Sequence, residues 1–99
     1  MNTHAPAQAK DLRALFDAIR ELRTDSDCDE FFADLCTPAE LRDMADRWKA
    51  AALIDRGVTY REIYEKTGVS TATVTRVARA LYNGRGGYRK VLDRLKHKR

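Results

Sequence analysis

The most restrictive feature of the chain is the stretch from Thr59 to Gly84, where helix-start and helix-stop signals crowd together. Thr59 and Glu62 stand as a capping box, threonine accepting from a backbone N–H of the first turn and glutamate reaching back to the cap. Gly68 suits the left-handed conformation that ends a helix, so the first helix has only about two turns. Ser70 then caps a second helix running through Leu81, which Asn83 and Gly84 stop. So short a helix cannot bury a face alone. The pair must share a small core, with Ile63 of the first helix packing on Val69 of the turn and on Val74 and Val77 of the second. Two helices joined by a tight glycine-containing turn form a helix-turn-helix unit, here spanning about residues 59–82.

The flanking sequence is helical as well. In KDLRALFDAIRELR, residues Leu12, Leu15, Phe16, Ile19 and Leu22 recur at three- and four-residue steps and define one face. TDSD breaks that pattern with side chains that compete for backbone hydrogen bonds, and a short helix carrying Phe31, Phe32 and Leu35 comes next. Thr37, Pro38 and Glu40 form another capping box, with proline at the first helical position. From there AELRDMADRWKAAALIDRG reads as one long helix, closed by Gly57. Its apolar side carries Leu41, Met44, Ala45, Trp48, Ala52, Leu53 and Ile54, and Trp48 is expected in the core or at a subunit interface. A last helix over about 88–96 carries Val91, Leu92 and Leu95. No strand alternation occurs anywhere. The expected fold is all-α, a single domain over residues 1–99 with about six helices and a flexible segment at 1–10.

A chain of 99 residues buries a modest share of its surface, and a partner subunit would remedy a thin core. The N-terminus lacks the apolar run of a secretory signal, and no stretch approaches the roughly 20 apolar residues of a membrane span. A cytoplasmic protein that does not enter the membrane is expected. Cys28 and Cys36 then read as free thiols, and their spacing is not that of a metal-binding pair. His4 and His97 stand at opposite ends of the chain, so no metal site is expected. There is no internal histidine, no phosphate loop and no nucleophile with an evident base, so no catalytic residue is assigned and an enzyme is not expected. Asp43 and Asp46 read as solvated charge on a helix surface.

The net charge of +4 conceals a division. From Arg76 onward nine basic residues stand against Asp93 alone, whereas residues 1–75 carry a net charge of −4. Such polarity favours an anionic partner. The outward face of the second helix is expected to carry Thr71, Ala72, Thr73, Thr75, Arg76 and Arg79, behind Ser70 at its start. Short hydroxyls and methyl groups can approach base edges closely, directly or through water. Threonine is a mediocre helix former, so four hydroxyl residues in six positions are a poor choice for surface filler. These residues are the expected readers of double-stranded DNA, with Arg61, Arg79 and Arg85 on phosphates. A plain helical hairpin, or a protein-interaction adaptor that keeps the shape without binding DNA, is the alternative.

The ordered segments LCTPAELRDMADRWKAA, GVTYREI, KTGVSTATVTR and NGRGGYRKVLDRL resemble the Trp repressor superfamily, specifically its YerC/YecD branch, from about Phe31 to Leu95. The resemblance implies an intertwined homodimer whose N-terminal and central helices share one core. Two projecting heads would then read a pseudo-palindromic operator, with half-sites about one helical turn apart. In tryptophan-binding members, two arginines sandwich the corepressor between the central and recognition helices, and a threonine at the start of the central helix helps hold it. Thr37, Arg47 and Arg76 match those residue types.

Two positions depart from that pattern. Val77 replaces a glycine lining the indole slot, and Ala80 replaces a serine that helps hold the amino group. Overfilling a packed site costs roughly 1–3 kcal/mol. Losing a hydrogen bond to a charged amine costs about 1.5–3 kcal/mol more. L-Tryptophan is therefore not the expected effector, and no cofactor is expected. A head held in place by Val77 without any ligand, and a different small-molecule corepressor, are both compatible with the sequence. Arg47 and Arg76 could equally face phosphates, or pair with Asp43 or Asp46.

Overall fold

The computed structural model describes residues 4–98, with side chains from residue 8 onward. Among the described residues there are six helices and no strand, so the fold is all-α. The chain groups into two compact units, one ending at Pro38 and the other beginning at Ala39.

The first unit holds α1 (His4–Ile19) and α2 (Asp25–Leu35). Residues 1–3 of the expected flexible segment lie outside the described residues, whereas from His4 the backbone is already helical. Pro6 falls in the first turn, where a missing N–H leaves no intrahelical bond unmade. Helix α1 stops at Ile19 rather than continuing to Arg23. Its end tightens, the N–H groups of Glu21 and Leu22 donating to Ala18 and Ile19 at 3.0 and 3.1 Å. Beyond Leu22 the backbone serves the next helix. Thr24 caps α2 by accepting from the Asp27 N–H at 3.0 Å, and the Asp27 carboxylate accepts from the Arg23 N–H at 3.1 Å. No residue between 8 and 38 is buried, and roughly half of Leu12, Phe16 and Leu35 remains exposed.

The second unit is built from α3 (Pro38–Asp55), α4 (Tyr60–Thr67), α5 (Thr71–Asn83) and α6 (Gly87–His97). The end of α3 is a full Schellman motif. Gly57 is left-handed at φ 83°, its N–H donates to Ile54, and the Val58 N–H reaches back to Leu53 at 3.1 Å. Leu53 and Val58 both pack on the core, which supplies the apolar contact that accompanies this motif. That core joins Ala50, Ala51 and Ile54 of α3 to Ile63, Val69, Val74, Val77, Ala78, Leu81 and Leu92. Trp48 packs against it half-buried, its ring 6.2 Å from that of Tyr88 on α6.

A largely covered carboxylate adds a polar tie between α3 and α6. Asp55, whose side chain is 8% exposed, accepts from Arg89 and Lys96, both at 2.7 Å. Lys96 and then Arg89 hold its carboxyl below the ordinary value near 3.8 against the opposing effect of burial. Asp55 in turn raises the affinity of Arg89 for its proton.

Candidate nucleic-acid interface

Three residues, Gly68 to Ser70, separate α4 from α5. The Thr59 hydroxyl caps α4 by accepting from the Glu62 N–H at 3.2 Å. Gly68 ends the helix at φ 78°, donating to the Tyr64 carbonyl at 2.8 Å. A substituent there would meet no neighbour, so the backbone angle rather than space favours glycine. Ser70 is the N-cap of α5, its Oγ accepting from the Thr73 N–H at 3.1 Å. Ile63, Val69, Val74 and Val77 are all buried, as the spacing required.

The solvent side of α5 presents Thr71, Ala72, Thr75, Arg76 and Arg79, all exposed. Thr73 differs from the expectation. It is half-buried, and its hydroxyl accepts a hydrogen bond from Ser70 at 3.0 Å. The cause is rotational: Thr73 borders the buried Val74 and Val77 stripe and turns toward α3. Ser70 is exposed, but its oxygen is already committed to the helix cap.

The basic residues separate into two groups. Arg89 pairs with Asp55 and Asp93, and Lys96 with Asp55, so both cations are engaged within the fold. Arg76, Arg79, Arg85, Lys90, Arg94 and Lys98 form no ion pair among the described residues. Arg61 pairs with Glu65 one turn along α4 at 3.4 Å, in a contact open to water and worth little.

Of the residues compared with a corepressor pocket, Arg47, Arg76, Val77 and Ala80 of the second unit do not line one cavity. Arg47 and Arg76 meet in a cleft of about 330 Å³ between α3 and the start of α5, with Asp43, Asp46, Ser70 and Thr73 on its walls. None of these four charged groups forms an ion pair there among the described residues. Val77 lies in the core at 2% exposure. Ala80 lines a separate apolar cleft with Trp48, Arg85, Tyr88 and Val91. Thr37 belongs to the first unit.

Sequence reasoning missed Asp55, because its partners lie far along the chain and carry no local signal. It also missed Thr67, whose half-buried hydroxyl donates to the Ile63 carbonyl at 2.5 Å and accepts from the Val69 N–H at 3.1 Å. A threonine immediately before a helix-ending glycine was the available clue.

Fold and site together define a class: a small all-helical protein whose helix-turn-helix presents short hydroxyls and unpaired arginines to solvent. Comparison with known proteins gives the family. Residues 10–96 match the family of the Trp repressor protein. The protein YerC of Bacillus subtilis strain 168, itself uncharacterized, is 42% identical over 89 residues, covering 90% of this chain and 86% of its own. The crystal structure of a TrpR-like protein from Eubacterium eligens is 39% identical and superposes with a TM-score of 0.85, over 88% of this chain and 90% of that one. A candidate Trp repressor from Staphylococcus aureus is 38% identical with a TM-score of 0.86, over 97% and 96%. The chain belongs to the Trp repressor family, on the branch that includes YerC. That family is regulatory rather than enzymatic.

Proposed function

We propose that the protein is a sequence-specific DNA-binding transcriptional regulator, acting as a repressor, that reads a pseudo-palindromic operator as a homodimer. The observation that carries this reading is the solvent face of α5. Its N-terminal half sets Thr71, Ala72 and Thr75 beside Arg76 and Arg79, on a turn fixed by caps at both ends. Such a helix enters the major groove N-terminus first, and its short side chains let the backbone come close to base edges. Thr71, Ala72 and Thr75 are assigned to base edges, with Ser70 and Thr73 at the groove wall. Arg61, Arg79 and Arg85 are assigned to phosphates, and Arg76 stands between the groove and the charged cleft. A phosphate would readily displace Glu65 from Arg61, since their pairing is exposed.

The homodimer is supported by the first unit, where no described residue from 8 onward is buried although α1 and α2 carry Leu12, Phe16 and Leu35. In the second unit, Val91 and Leu95 of α6 are also half-exposed. Among the described residues no helix is long and apolar enough to cross a membrane, and we place the protein's work in the cytoplasm, with its DNA.

L-Tryptophan is not its effector on this reading, because Val77 occupies the core and Ala80 lines a separate apolar cleft away from Arg47 and Arg76. A small polar effector of another kind is favoured by one observation, the meeting of two carboxylates and two guanidinium groups in that cleft.

A mobility-shift titration across salt concentration tests the DNA reading. Sequence-selective binding that weakens steeply as salt rises is expected, because bound phosphates release counterions. Absence of binding to any genomic fragment would favour the adaptor.

A further inference from the structure

We infer that Thr67 is a positioning residue for DNA reading, a role that rests on the DNA-binding proposal above. Its hydroxyl makes two hydrogen bonds of opposite sense. It donates to the Ile63 carbonyl, inside α4, and accepts from the Val69 N–H, inside the turn. The hydroxyl thus ties the last turn of α4 to the middle residue of the three-residue link. The Val69 N–H has no other partner among the described hydrogen bonds. Val69 itself is seated in the core, and Ser70, the cap of α5, comes directly after it. Whatever fixes Val69 therefore fixes where α5 begins and in which direction it leaves.

The left-handed Gly68 stands between these two anchors. Glycine is the residue with the widest choice of backbone angles, so the sequence places its most permissive residue at the pivot of the reading head. The Gly68 N–H bond to Tyr64 restrains only the near side of that pivot. Thr67 restrains the far side. Its loss would free the Val69 N–H and loosen the seat of Val69, so that the start of α5 samples a wider range of directions while Ile63, Val74 and Val77 stay in the core. Sequence-specific contacts need several side chains to meet base edges at once and suffer from such sampling. Phosphate contacts are less directional and tolerate it.

Thr67→Val keeps the branched shape and volume and removes only the hydroxyl, and Thr67→Ser keeps the hydroxyl. The probes are the duplex that the wild-type protein selects from a randomised pool and a scrambled duplex of the same composition. Both variants are checked for folding by circular dichroism before titration. The expected result is that Thr67→Val loses about tenfold in affinity for the selected duplex, about 1.4 kcal/mol. It should keep wild-type affinity and salt slope on the scrambled duplex, and Thr67→Ser should restore selectivity. Equal loss on both duplexes, unchanged selectivity in Thr67→Val, or a Thr67→Ser variant as impaired as Thr67→Val would overturn the inference. A wild-type protein that selects no sequence would instead overturn the DNA-binding proposal, and this inference with it.

Discussion

Val77 and Ala80 lie one turn apart on α5, yet they face different surroundings, one the core and the other an apolar cleft beside Trp48 and Tyr88. This separation argues against a corepressor slot of the tryptophan-binding kind, which needs both positions open to one ligand. Calorimetry with L-tryptophan should show no saturable heat in the micromolar range, and micromolar binding would refute the assignment. The roles within the reading face are separable in the same way. Thr75→Ala should relax sequence preference by about 1–3 kcal/mol at the base it faces, with little change on unrelated DNA. Arg85→Ala should weaken binding to all sequences alike and lower the salt slope by about one. Matching effects of the two substitutions in a titration would dissolve the distinction between reader and anchor. Sequence alone identified the hydroxyl-rich face but not the commitments of its members. Ser70 and Thr73 look equivalent to Thr75 in the sequence, and only the cap geometry shows that they are bonded to one another.

At the scale of elements, local chemistry made the helices legible and distance hid what joins them. Capping oxygens and glycines act within a few residues of themselves, which is why α4 and α5 begin where the sequence indicated. The end of α1 was misjudged because the Asp27 carboxylate takes the Arg23 N–H while Thr24 caps α2 on the Asp27 N–H. Gly84 ends α5 for a reason the sequence does not reveal: a Cβ there would lie 2.3 Å from the Ala80 carbonyl oxygen. The tie between α3 and α6 through Asp55 is non-local and had no sequence signature. It has a definite pH signature, since the folded state holds the Asp55 carboxyl below its ordinary value near 3.8. Its contribution is therefore complete above that value and is lost as the pH falls through the lowered one. Asp55→Asn should cost about 1–2 kcal/mol near neutral pH, discounted for the exposure of both cations. Urea denaturation at stepped pH should show the variant and the wild type converging in acid. A constant difference down the whole acid range would mean that Asp55 acts by packing and not by charge.

On the scale of the whole molecule, two properties have to be explained together: a small core of mostly valine and alanine, and helices that leave apolar side chains half-exposed. A second copy of the chain, as proposed, would account for both and would double the reading heads. Sedimentation should therefore report two chains per particle, and Phe16→Glu should shift the protein toward monomer. A wild-type monomer at high concentration would remove the paired heads from the account. The amino-acid pattern could foretell that the core would be thin, because short helices and small residues limit burial. It could not show that no described residue of α1 and α2 is fully buried in the single chain, since the periodicity of an apolar face does not say what covers it. The charge division was legible as a total but not in its distribution, because Asp55 engages both Arg89 and Lys96 from a distant part of the chain.

The most direct measurement is genome-wide footprinting of the tagged protein in cells that carry it. The account predicts discrete protected sites that share a two-fold symmetric sequence, with half-sites roughly 10 base pairs apart. Uniform low occupancy across the genome, or protected sites without symmetry, would contradict it.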